Sequence, residues 1–78
     1  MLVNLSRKKK ANRSLGKKIR QVRNAQKISQ EQLAFECGLS RPYISYLESG
    51  LKSPTFETLL SIAEAMNIHV KDLMDFEY

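Results

Sequence analysis

No acidic residue occurs in the first 27 positions of this 78-residue chain. Other absences narrow the possibilities further. A single cysteine, Cys37, excludes an internal disulfide and fits a reducing cytoplasm. No apolar run approaches the ~20 residues of a membrane-spanning helix. The basic N-terminus is not followed by the apolar stretch of a secretory signal. His69 is the lone histidine and Cys37 is far from it in sequence, so neither a metal set nor a nucleophile pair can be assembled. Catalysis, metal ions and cofactors are therefore not expected.

What is present is strongly divided. Residues 1–27 hold ten bases: Arg7, Lys8, Lys9, Lys10, Arg13, Lys17, Lys18, Arg20, Arg23 and Lys27. The remainder holds three bases, Arg41, Lys52 and Lys71, against eight acids. Basic residues set against a mildly acidic body point to a polyanionic partner, nucleic acid before a membrane surface. The competing reading is a disordered solubilising tail. Residues 1–12 show no sustained period and read as a flexible basic arm, leaving 13–78 as one domain.

Within that domain the periodicity is helical throughout, and no alternating strand pattern occurs. Ser14 can cap a first helix to about Gln26, with Leu15, Ile19 and Val22 on one face. Ser29 and Gln32 form a capping box before a short helix that turns Leu33, Ala34 and Cys37 inward. Gly38 can take the left-handed conformation and so ends it in a sharp turn. A third helix, with Ile44 and Leu47 inward, ends at Gly50. Its cap is Ser40 or Arg41, because Pro42 disfavours the helical region for the residue before it. Pro54 and Thr55 open a fourth helix whose wide apolar face holds Phe56, Leu59, Leu60, Ile62, Ala63 and Met66, with Asn67 as terminator; the stripe Phe56, Leu59, Leu60 and Met66 is expected in the core. A last turn or two holds Val70, Leu73 and Met74. The fold class is all-α, a compact five-helix bundle.

Two short helices joined by a glycine turn, the second with an open polar face, describe a helix-turn-helix. The run ISQEQLAFECGLSRPYISYLESGLKSPTFETLLSIAEAMNI resembles the Cro/cI-type, or Xre, helix-turn-helix family. The shared pattern is Ser-Gln-Glu-x-Leu-Ala, then Gly-Leu-Ser, Ile-Ser-x-x-Glu-x-Gly, Pro-Thr and Leu-x-x-Ile-Ala. The resemblance covers about residues 14–74. Within the family the chain is most similar to the controller proteins of restriction–modification systems, on its Arg-x-Tyr-Ile-Ser recognition helix. It implies a lambda repressor-like fold, and it favours Ser40 as the cap.

The resemblance also implies a sequence-specific transcriptional regulator that binds double-stranded DNA, with the N-terminal end of the third helix in the major groove. Pro42 then loses no helix hydrogen bond in the first turn and stiffens it. Arg41 aims outward, and its fork of donors matches guanine O6 and N7. Tyr43 and Tyr46 can offer hydroxyls to phosphate and ring contact to a thymine methyl, unless Tyr43 packs back on the protein. Ser45 is small enough to let the helix sit deep. Gln30, at the dipole end of the second helix, is expected on phosphate. Lys52, Ser53 and Thr55 are secondary phosphate contacts, and Arg7, Lys8, Lys9 and Lys10 add affinity from the arm. Glu48 has the wrong sign for DNA and is expected to pair with Arg20.

Leu73, Met74, Phe76 and Tyr78 cannot all turn inward in so small a domain. They are expected to form an isologous dimer contact, matching a palindromic operator. The rival reading is an antitoxin that holds a protein toxin, and a protein partner such as a toxin or the polymerase is compatible with the sequence.

Overall fold

Positive φ at Lys27, Gly38, Gly50 and Asn67 punctuates the chain. The computed structural model describes residues 5–76. Its helices are α1 (Leu5–Ala25), α2 (Gln30–Cys37), α3 (Arg41–Glu48), α4 (Phe56–Ala65) and α5 (Val70–Leu73). Each positive-φ residue lets the chain fold back on the helix just ended. The following N–H then reaches a carbonyl five residues earlier: Ile28 to Arg23 at 3.1 Å, Leu39 to Ala34 at 2.9 Å, Leu51 to Tyr46 at 2.9 Å and Ile68 to Ala63 at 3.0 Å.

The starts of α2, α3 and α4 are fixed by hydroxyls. Ser29 Oγ accepts from the Gln32 N–H at 3.0 Å while Gln32 Oε1 accepts from the Ser29 N–H at 2.8 Å, so the capping box is complete. Ser40 Oγ accepts from the Tyr43 N–H at 3.2 Å, which decides the cap of α3 for Ser40 and makes Arg41 its first residue. Thr55 caps α4 in the same way, through the Thr58 N–H at 3.1 Å.

One boundary differs from expectation. α1 begins at Leu5, so Arg7, Lys8, Lys9 and Lys10 stand on helix rather than on a flexible arm, and Ser14 lies inside the helix instead of capping it. The apolar period that suggests a start at Ser14 marks only the stretch that packs. Lys, Arg and Ala are good helix formers, and neither Gly nor Pro interrupts positions 5–15.

The core is drawn from α1 to α5: Leu15, Ile19, Leu33, Ala34, Ile44, Leu47, Leu59, Ile62, Ala63, Met66 and Leu73 are buried. Two expectations fail here. Phe56 and Leu60, expected in the core, are 65% and 40% exposed, because α4 turns Leu59, Ile62, Ala63 and Met66 inward and leaves these two on its flank. Leu73, expected at a dimer contact, is fully buried, because even the short α5 docks its apolar side, Leu73 and in part Val70, into its own domain.

α1 crosses α3 at very close range. A methyl group at Gly16 would stand 2.3 Å from the Leu47 carbonyl oxygen and 2.6 Å from that of Glu48. At Gly50, just past α3, it would meet Arg13 Cγ at 2.6 Å. The two glycines together seat α1 against the C-terminal end of α3.

Candidate nucleic-acid interface

The interface is built outward from one buried carboxylate. Glu48 ends α3 with its side chain fully buried, where an unpaired charge would be costly. Arg23 of α1 answers it with a fork: Nε donates to Oε2 at 2.6 Å and Nη2 to Oε1 at 2.9 Å. The remaining nitrogen, Nη1, donates to the Ile28 carbonyl at 2.8 Å, so the guanidinium also pins the α1–α2 turn. Arg20, the expected partner, reaches Glu48 only at 3.4 Å, with half its side chain in solvent. Arg20 and Arg23 share a face of α1, and the closer approach to Glu48 falls to Arg23, the residue one turn nearer α2.

Burial alone would push the Glu48 carboxyl up. The hydrogen bonds from Arg23 and Gln30, the Arg23 charge and the Arg20 contact outweigh it and hold the group below its usual value. Arg23 is raised in turn, first by its hydrogen bond to Glu48.

Gln30, the first residue of α2, extends the chain of contacts to the surface. Its Nε2 donates to Glu48 Oε1 at 3.0 Å, and its Oε1 accepts from Arg41 Nη1 at 3.2 Å. Arg23, Glu48, Gln30 and Arg41 thus form one line from the interior to the first turn of α3. The family resemblance leads to the expectation of DNA as partner for both Gln30 and Arg41; the fold shows that the two also touch each other. The signal available was the pairing of an amide with a lone acid at the end of a helix.

Of the other expected residues, Pro42 is exposed beside Arg41 and Ser45 is half-buried. Tyr43 is half-buried and packs against the core, with part of its side chain still open to solvent. Tyr46 stays exposed, with Lys52 Nζ 5.9 Å from its ring centroid, which gathers a cation and an aromatic at the far end of α3. Ser53 is exposed nearby in sequence. The Thr55 hydroxyl is engaged in the cap of α4 and also donates to Thr58 Oγ1 at 3.0 Å.

Among the expected dimer residues, Met74 is 49% exposed, Phe76 packs partly against the core, and Tyr78 lies outside the described residues. Cys37 is half-buried and packs against the core; burial, then the Glu36 charge, raises its thiol, which disfavours the thiolate. Among the described residues no three of His, Cys, Asp and Glu cluster as a metal site would need. No helix there is long and apolar enough to cross a membrane.

Comparison with known proteins agrees with this geometry. Residues 19–73 match the family described as helix-turn-helix. The chain is 44% identical over 62 residues to the control protein C.BamHI of Bacillus amyloliquefaciens, covering 78% of this chain and 76% of that one. The restriction-modification controller protein C.AhdI from Aeromonas hydrophila superposes with a TM-score of 0.75 at 36% identity, covering 76% of this chain and 89% of that one. The P22 c2 repressor, solved with a synthetic operator, superposes with a TM-score of 0.74 at 30% identity, covering 82% of this chain and 97% of that one.

Proposed function

Because the chain belongs to the helix-turn-helix family, we propose that it is a DNA-binding transcriptional regulator of the restriction–modification controller kind, a homodimer that reads a palindromic duplex. The observation that carries the reading is the fixed line Arg23–Glu48–Gln30–Arg41, which holds a guanidinium at the exposed first turn of α3. A buried ion pair of this quality anchors the position of α3 from behind, while Arg41 presents its donors in front.

In this mechanism the N-terminal end of α3 enters the major groove. Arg41 donates its fork to guanine O6 and N7, and Gln30 keeps one amide hydrogen for a phosphate near the start of α2. Tyr46 and Lys52 meet the backbone at the other end of α3, and Ser45 lets the helix approach closely. Phe56 and Leu60 on α4, with Met74 after α5, are exposed apolar side chains available for a self-complementary contact. A two-fold pair of such domains places its recognition helices about one DNA turn, ~34 Å, apart.

Likeness to controller proteins along three quarters of their length supports this reading over an antitoxin. Selection of binding sites from random duplex DNA tests it. The expected result is a palindrome with guanine at one position in each half. Failure to enrich any duplex sequence would overturn the proposal.

A further inference from the structure

The family match starts at residue 19, yet α1 starts at Leu5. About four turns of helix therefore precede the matched region, and they are the most basic part of the chain. α1 carries nine bases and no acid. Its packed portion begins near Leu15 and Gly16, whereas residues 6–10 are all exposed. That segment, Ser6 to Lys10, has no apolar side chain, so neither a protein core nor a membrane interior accounts for it.

Its charge also opposes ordinary helix preferences. The first turn has no acid, although the positive dipole end favours one. Lys9 and Arg13 stand four apart, as do Arg13 and Lys17, and like charges at that spacing repel along a helix face. A polyanion laid against the helix relieves both penalties at once.

Geometry says where it would lie. Lys9, Arg13, Gly16 and Arg20 recur at the four-, three- and four-residue steps of one helix face. Gly16 abuts the carbonyls at the end of α3, Arg13 abuts Gly50, and Arg20 contacts Glu48. The same face, continued one turn toward the N-terminus, brings Lys9 past the Gly50 turn, which also leads to Lys52.

We propose that the N-terminal turns of α1 form a helical strut that binds the sugar–phosphate backbone of duplex DNA just outside the half-site occupied by α3, through Lys9 and Arg13 on that face, with the long side chains of Lys8 and Lys10 reaching in from its two flanks. This rests on the DNA-binding reading above. The strut acts as a helix, so its position and not merely its charge extends the footprint. Each six-residue stretch of helix advances ~9 Å, enough to reach one or two further phosphates on that strand.

The test uses the full chain and a duplex selected by it, with long flanks and with flanks trimmed to the palindrome. Changing Lys8, Lys9 and Lys10 together to Ala keeps helix propensity and should leave the melting temperature unchanged. The slope of log affinity against log salt should flatten by ~0.9 for each phosphate no longer neutralised. Flank trimming should flatten the native protein's slope to the same extent and add nothing in the variant. Ala11→Pro keeps every charge but breaks the helix; it should abolish dependence on the flanks and the outer hydroxyl-radical protection.

Equal salt slopes for native and triple variant would overturn the proposal, as would an Ala11→Pro protein that still protects the flanks. So would substitutions that leave DNA binding intact while abolishing attachment to phosphatidylserine vesicles or duplex RNA. If no duplex is selected in the first place, it is the functional reading that fails.

Discussion

Arg41 Nη1 donates to Gln30 Oε1 at 3.2 Å, and the same amide donates from Nε2 to the buried Glu48 at 3.0 Å. An exposed arginine would ordinarily sample many rotamers, and ordering it on DNA costs entropy. Here the amide is oriented by a carboxylate, so its oxygen faces Arg41 before any DNA arrives. Arg41→Ala should lose ~1–3 kcal/mol per half-site and blur preference at one base pair. Gln30→Ala should weaken binding less, but chiefly at that same base pair. The double variant should be clearly less than additive with the two single changes. Affinities measured on duplexes varied one pair at a time decide the matter. Uniform weakening across all of them would make Gln30 a phosphate contact and nothing more.

Glu48 makes the stability of this arrangement depend on pH. Its carboxyl is held below the ordinary glutamate value of ~4.3. The stabilisation is therefore fully present above that range and is lost as pH falls through the lower, folded-state value. Glu48→Ala strands the largely buried Arg23 guanidinium and should cost on the order of 3–5 kcal/mol. Glu48→Gln keeps the shape but not the charge and should cost less. Urea unfolding of the native and Glu48→Gln proteins between neutral and acid pH provides the check. The gap in stability should narrow toward low pH; a constant gap would show that the ionised form is not what stabilises.

The caps, the glycine turn and the inward residues of α2 and α3 were legible in the sequence because each is set locally. Ser29, Gln32, Gly38 and Ser40 act on backbone groups three to five residues away. The partner of Glu48 was only half legible: the face of α1 was evident, but the choice of Arg23 over Arg20 depends on how far α1 slides along α3. The start of α1 was not legible because apolar period reports packing, and the first turns of this helix do not pack. Leu73, Phe56 and Leu60 exchanged roles for a related reason. Which flank of α4 is covered depends on where α5 docks, and no local pattern encodes that.

Gly16 tests how tightly α1 must seat. An alanine normally favours a helix interior by ~1 kcal/mol over glycine. At this position its methyl would stand 2.3 Å from a backbone oxygen of α3, which cannot rotate away as a side chain could. Gly16→Ala should therefore destabilise by ~1–3 kcal/mol despite the better propensity. For a domain of this size that is a drop in melting temperature of at least ~4 °C. Lys17→Ala, on the exposed side of α1, should not reproduce it. A Gly16→Ala protein as stable as the native one would mean that α1 and α3 are free to separate.

Association divides the C-terminal residues that the sequence grouped together. Leu73 is fully buried, so Leu73→Ala should cost ~2–5 kcal/mol in the monomer whatever the oligomeric state. Phe56, Leu60 and Met74 are exposed, so exchanging them for serine should leave the melting temperature of a dilute sample nearly unchanged. If they meet their own copies across a two-fold axis, the same exchange should shift sedimentation equilibrium at micromolar concentration from dimer toward monomer. Binding to the palindrome should then lose its cooperativity while each half-site is still recognised. Two controls separate association from folding: Leu73→Ala should unfold at lower temperature yet dimerise when kept cold, and the serine variant should do the reverse. A native protein that sediments as a monomer at every concentration, and binds each half of the palindrome independently, would remove the dimer from the proposal and leave α3 to act alone.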